Sequence, residues 1–287
     1  MTSPAARPSV RPAHPTHTHT PRPLGKAPKE RTPMSELDGQ VAIITGGGKG
    51  TGLGVAKAYV KQGIAVVITG RDETALNAAK AELGTLVPGS RVLPIKADNK
   101  DHAAAGQVVA QTIEQFGRLD ILINNAQEFR TGILIEDTTW DDMIASYESG
   151  IFATWRYMVA ALPHLKNSSG TVINMGSGSG TMSVARTSAY GSNKEAIRGL
   201  SRIAAREWGQ YGITVNVINP FVHSEESIRF EKEKPEILAD VLKVTPLGRI
   251  GDAELNVGGL CVFLAKTEGK YMTGSTFDVE GGASMRP

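Results

Sequence analysis

The chain has 287 residues, 40% of them hydrophobic, with 32 glycines, one cysteine and a formal net charge of +2. That length holds one sizeable core, and the balance of charge offers no global case for nucleic-acid binding. A single cysteine, Cys261, excludes an intrachain disulfide and argues against a cysteine-based metal site, and no apolar run approaches the roughly 20 residues of a membrane span.

Residues 1–33 hold eight of the fifteen prolines, together with His14, His17 and His19. They also carry Arg7, Arg11, Arg22, Lys26, Lys29 and Arg31 against Glu30 alone, which leaves the rest of the chain net acidic. Such a segment builds neither a helix nor a core, so it reads as a disordered tail, with the prolines spoiling any amphipathic transit helix. It has no apolar stretch of the kind a secretory signal needs, and a cytoplasmic enzyme is the simplest reading. Residues 34–287 read as a single domain.

From residue 40 short apolar strands alternate with amphipathic helices. Strands are expected at Val41–Thr45, Ala65–Thr69, Arg91–Ala97, Leu119–Asn124, 170–175, Ile213–Ile218 and Ser275–Val279. Helices are expected over about 52–62, 72–83, 101–117, 138–166, 188–209 and 252–265, with a charged helical excursion within 222–245 that would form a substrate lid. Regular β-α alternation with nearly all-apolar strands means an α/β fold: a doubly wound, Rossmann-like parallel sheet of about seven strands, covered on both faces. Ligands in such sheets bind at the carboxyl ends of the strands.

The first strand runs into Thr45-Gly46-Gly47-Gly48-Lys49-Gly50-Thr51-Gly52. Gly46, Gly50 and Gly52 allow a tight turn and close backbone approach to a pyrophosphate seated on the helix N-terminus. At the end of the second strand an acidic residue would hold a ribose 2′-hydroxyl, but Gly70 stands there and Arg71 follows. Arg71 and Lys49 could clamp a 2′-phosphate, which favours NADP(H), with Asp72 assigned to capping the next helix.

Tyr190 and Lys194 stand one helical turn apart, with Ser177 upstream at the end of an apolar strand. A phenol with a pKa of about 10 is a poor proton donor or acceptor at neutral pH. An ammonium roughly 5 Å away stabilises the phenolate by about 3 kcal/mol at an effective dielectric of about 20, or some two pKa units. That makes Tyr190 a usable general acid/base for a carbonyl or an alcohol, with Ser177 able to hydrogen-bond the same oxygen.

The Gly-x-x-x-Gly-x-Gly spacing, Asp98, Asn124-Asn125-Ala126, Ser177, Tyr190-x-x-x-Lys194, Asn216, Pro220 and the closing Gly274 and Asp278–Gly282 resemble the short-chain dehydrogenase/reductase family over about residues 38–283. The resemblance implies hydride transfer between a nicotinamide and a ketone or secondary alcohol. In that scheme Tyr190 gives or takes the proton, Ser177 orients the oxygen, and Lys194 lowers the Tyr190 pKa and holds the nicotinamide ribose. It also implies cofactor contacts from Thr45, Gly46, Gly48, Lys49, Gly50, Gly52, Leu53, Arg71, Asp98, Asn99, Asn125, Ala126, Tyr190, Lys194, Pro220, Val222 and Ser224. No metal is implied. A homotetramer or dimer is, with a small-molecule substrate and neither nucleic acid nor membrane as partner.

Three positions depart from the family pattern. Tyr147 stands where a catalytic asparagine is usual, so the proton relay to Lys194 would be rearranged. Gln127 replaces a glycine and either reaches toward substrate or points to solvent, and Phe221 follows Pro220 as a pocket wall or a loop anchor. His223 is a further candidate substrate contact, and Arg130, Arg186 and Arg229 could meet an acidic group. Two rival readings stay open: a non-catalytic NADP(H) sensor or scaffold, and a dehydratase or epimerase working through a transient ketone.

Overall fold

The computed structural model describes residues 35–224, 228, 232–233 and 235–284. Met34 to Pro287 form one compact unit. The tail 1–33 and the lid positions Glu225, Glu226, Arg229, Glu231 and Lys234 lie outside the described residues.

Seven strands make one sheet: β1 (Val41–Thr45), β2 (Ala65–Gly70), β3 (Val92–Lys96), β4 (Ile121–Asn124), β5 (Thr171–Met175), β6 (Thr214–Pro220) and β7 (Thr276–Val279). Their order is β3-β2-β1-β4-β5-β6-β7, and every pairing is parallel. β1 and β5 are buried along their whole length, which is why they read as largely apolar rather than alternating runs, with Asn174 of β5 a buried polar exception bonded to Asn124 and Ser201. Between β3 and β4 the chain crosses to the far side of β1, so the switch point opens at the carboxyl ends of β1 and β4.

The helices are α1 (Gly50–Val60), α2 (Glu73–Leu86), α3 (Ala104–Phe116), α4 (Trp140–Tyr147), α5 (Ala153–Ser168), α6 (Gly178–Thr181), α7 (Ser188–Trp208), α8 (Pro235–Val244) and α9 (Gly259–Ala265). One face of the sheet packs on α1, α2 and α9 through Val55, Tyr59, Leu76, Leu83, Cys261 and Leu264. The other packs on α3, α5 and α7 through Val108, Tyr157, Leu165, Ala204 and Trp208. Local chemistry sets the boundaries. Asp72 caps α2 by accepting from the Thr74 and Ala75 amides, Thr139 and Asp142 form a capping box on α4, and Gly117 ends α3 at φ 73°.

Two expected helices are not continuous. The one expected over 138–166 is broken by a π-turn at Glu148–Phe152 between α4 and α5, and the one over 252–265 begins as a π-turn at Ala253–Gly258. The first break has a visible cause. Asn193 of α7 reaches into it and accepts the Ile151 amide at 2.9 Å, and a side chain at Gly150 would collide with the Asn193 amide. The second lies against α1, where a Cβ on Gly54 would meet Ala253 at 2.6 Å. The described part of the lid includes residues 222–224, α8, and Ile228, Lys232 and Glu233, the last three exposed. Among the described residues no helix is long and apolar enough to cross a membrane, and no group of His, Cys, Asp or Glu could hold a metal ion.

Candidate active site

The turn after β1 is built by hydrogen bonds to Thr45. Its Oγ1 accepts from the amides of Asn125 at 2.8 Å and Ala126 at 3.0 Å, while Asn125 Nδ2 donates to the carbonyls of Thr45 and Gly46. Gly46 sits at φ 65°, and a Cβ there would lie 2.9 Å from Asn125 Nδ2. A Cβ on Gly52 would run into the Gly46 carbonyl, so the turn can close only on glycine. The Lys49 side chain does not cap α1 and the first turn holds no acid, so the start of this helix suits an anion. That is the fit a dinucleotide pyrophosphate needs. Gly48 and Lys49 lie in this turn, and Gly50, Gly52 and Leu53 in the first turn of α1.

At the carboxyl ends of β2 and β3, Arg71 and Asp98 line one cavity of about 280 Å³ with Lys96, Ala97 and Asp101. Asn99 donates to the Ala126 carbonyl at 3.5 Å, so the loops after β3 and β4 meet. Arg156 of α5 braces them by donating to the Asn99 carbonyl at 2.8 Å and to Glu148. Lys100 and Arg130 both pair with Glu128, at 3.0 and 2.7 Å. Burial pushes the Glu128 carboxyl up, but these two cations outweigh it and bring it below its ordinary range.

Ser177 follows β5 and caps α6, accepting from the Ser179 amide at 3.1 Å. Tyr190 and Lys194 lie on one side of α7, with Lys194 Nζ 5.5 Å from the Tyr190 ring centre. Lys194 is buried and donates to the Met175 carbonyl at 2.7 Å, at the end of β5. Burial lowers its pKa to about 7. The Phe129 ring meets the Tyr190 ring edge-on, centres 4.9 Å apart. Phe129, on the Tyr190 ring, and Met182 and Val184, after α6, are each close to half-exposed.

The three departures are placed as follows. Tyr147 donates to Ser192 Oγ at 3.1 Å, and its ring faces Phe152. Gln127 turns in onto α4, its Nε2 donating to Ser146 Oγ at 3.4 Å and its Oε1 buried, so it does not point to solvent. Phe221 exchanges backbone hydrogen bonds with Val279 and Gly251. The Val222 side chain is buried in the core, so that residue presents backbone only. His223 is exposed and Ser224 half-buried. Arg130 is taken by Glu128 and Asp142, and Arg186 is exposed at φ 64°.

Sequence reading passed over Phe129, Asn193, Arg156 and Glu280. The first two act through contacts distant in the chain. Glu280 is buried after β7 and accepts from Ser284 Oγ at 2.6 Å; the signal for it was an acid inside the closing glycine turn.

A family profile described as Enoyl-(Acyl carrier protein) reductase matches residues 46–284. A 12alpha-hydroxysteroid dehydrogenase from Clostridium sp. is 43% identical over 260 residues, covering 88% of this chain and all of that protein. A short-chain dehydrogenase/reductase structure from Serratia marcescens superposes with a TM-score of 0.79 at 30% identity, covering 87% of this chain and 99% of that one. The chain belongs to the short-chain dehydrogenase/reductase family. A further structural neighbour, a blue fluorescent protein from a metagenomic library in complex with NADPH, has a TM-score of 0.80 at 29% identity, with 88% of this chain and 100% of that one covered. As a short-chain dehydrogenase/reductase, the protein is an oxidoreductase acting on hydroxyl or carbonyl groups with a nicotinamide cofactor.

Proposed function

We propose that the protein is an NADPH-dependent carbonyl reductase, working in reverse as a secondary-alcohol dehydrogenase, with Tyr190 as general acid/base. The observation that carries this is the α7 face on which Lys194, anchored on the Met175 carbonyl, stands beside the Tyr190 ring at the end of β5. The bound nicotinamide supplies the hydride in reduction and accepts it in oxidation. Tyr190 donates its phenolic proton to the carbonyl oxygen, or takes it from the alcohol. The Lys194 ammonium stabilises the phenolate that remains, and the Ser177 hydroxyl donates to the same oxygen. Position 147 offers no amide, so the relay beyond Lys194 is rearranged around the Tyr147–Ser192 hydrogen bond.

Thr45, Gly46, Gly48, Gly50, Gly52 and Leu53 hold the pyrophosphate side of the cofactor, and Asp98, Asn99, Asn125 and Ala126 its adenosine and ribose side. Lys49 and Arg71 take the 2′-phosphate, and Pro220, Val222 and Ser224 border the carboxamide. Phe129, Met182 and Val184 give the open side of the site an apolar wall, with Gln127, Phe221 and His223 at its other margins. This suits a bulky alicyclic ketone or alcohol, the class to which the Clostridium relative's named substrate belongs. The enzyme is cytoplasmic and assembles as a homotetramer, or a dimer, through α5 and α7.

Purified protein with NADPH and a panel of alicyclic and linear ketones tests the reading. Steady NADPH consumption with alcohol formation is expected. Binding without consumption would point to a sensor, and product without net cofactor use to a dehydratase or epimerase; either result overturns the reductase reading.

A further inference from the structure

Asn193 immediately precedes Lys194 on α7 and is fully buried. Its side chain enters the π-turn at Glu148–Phe152, where Oδ1 accepts the Ile151 amide at 2.9 Å. A π-turn interrupts the i→i+4 ladder, and the Ile151 amide is taken up from the neighbouring helix instead of by solvent. Gly150 has no side chain, and any Cβ there would collide with Asn193 Nδ2, so the amide lies directly on the backbone of the π-turn. Nδ2 itself is buried with no hydrogen-bond partner among the described residues. A half-satisfied buried amide costs stability that a small apolar residue would not, so stability alone does not account for its presence. The contact lies between the two residues whose spacing the chemistry depends on, Tyr190 three positions before it in the sequence and Lys194 one after.

We propose that Asn193 is a positioning residue for the Tyr190–Lys194 pair, keying the catalytic turn of α7 into the π-turn between α4 and α5. The key fixes the rotation of α7 at the turn where Lys194 Nζ meets the Met175 carbonyl and approaches the Tyr190 ring. Without it α7 keeps the Ser146 Oγ bond to the Ala189 carbonyl at 3.0 Å and the Tyr147 bond to Ser192, both on the turn before Lys194, but loses its anchor in the π-turn, and the ammonium moves relative to the phenol. Asn193 touches neither substrate nor cofactor in this scheme. The inference rests on Tyr190 being the proton donor.

Two readouts on Asn193→Ala test it. In the ketone assay kcat falls by about tenfold or more, KM moves less, and the pH midpoint governed by the phenol rises by about one unit. In ultraviolet difference titration of the NADPH-bound protein, the lowest-titrating tyrosine, assigned by its loss in Tyr190→Phe, moves up in parallel. Asn193→Ser, whose hydroxyl is too short to span to Ile151, shifts both readouts the same way and replaces the alanine variant should that fail to fold. A folded variant with wild-type kcat and an unmoved tyrosine titration overturns the proposal, even if its melting temperature drops. Absence of ketone turnover in the wild type would count against the functional reading instead, and the titration would still decide whether Asn193 positions the pair.

Discussion

Lys194 carries its charge at a cost. It is buried, it donates to the Met175 carbonyl, and burial brings its pKa down from 10.5 to about 7. The sign of the linkage follows. Below about pH 7 the ammonium is charged in both folded and unfolded chains, so the full desolvation penalty weighs on the fold. As pH rises from about 7 to 10.5 the folded state gives up its proton first, and the penalty disappears. In the cofactor-free protein, Lys194→Met is therefore expected to melt higher than wild type at pH 6, with the gap closing toward pH 10; a gap that is constant or widens with pH contradicts the burial argument. Arg71 belongs to the same scale. Removing one charge-assisted partner of a 2′-phosphate in Arg71→Ala should raise the KM for NADPH by about 10-fold or more and leave that for NADH almost unchanged. Equal effects on both cofactors would take Arg71 out of that role.

At the scale of elements, the glycine turn and the broken helix show what sequence periodicity reveals and what it hides. The strands were legible because parallel strands buried on both faces are apolar over most of their length. The α2 cap was legible because Asp72 precedes its helix directly. The π-turn was not, since its cause is a side chain 42 residues further along the chain, and a helical pattern with one glycine reads as continuous. The edge-on pair of Phe129 and Tyr190 was hidden for the same reason, and the four residues of α6 are too few to leave a periodic trace. The turn makes a prediction of its own. In Gly52→Ala the new methyl meets the Gly46 carbonyl, a backbone atom that cannot swing aside. The variant should lose about 1–3 kcal/mol of stability, read in denaturant melts, and bind NADPH more weakly; a wild-type melt with wild-type cofactor affinity would show that the turn has room.

Across the whole molecule, the order of strands puts every proposed cofactor group at one edge of the sheet, the carboxyl ends of β1 to β6. The remaining surface carries an apolar stripe on α5 and the turn before it, Phe152, Trp155 and Val159, with Trp155 54% exposed, and Ile203 on α7 is 58% exposed. The proposed tetramer would cover this stripe. Light scattering on the wild type should give four copies, or two, and Trp155→Glu should shift the distribution to smaller species at unchanged secondary structure. A monomeric wild type would remove the assembly from the account. The composition of segment 1–33 supports neither a helix nor a core, so its deletion is expected to leave kcat and melting temperature as they are.

The central claim is that the Tyr190 phenol, held ready by Lys194, moves the proton. It is tested most directly by measuring, for Tyr190→Phe, both the NADPH dissociation constant and kcat on the best ketone of the panel. The account predicts cofactor binding close to wild type with kcat down by about 10²–10⁴-fold. A phenylalanine variant that turns over at the wild-type rate would contradict it.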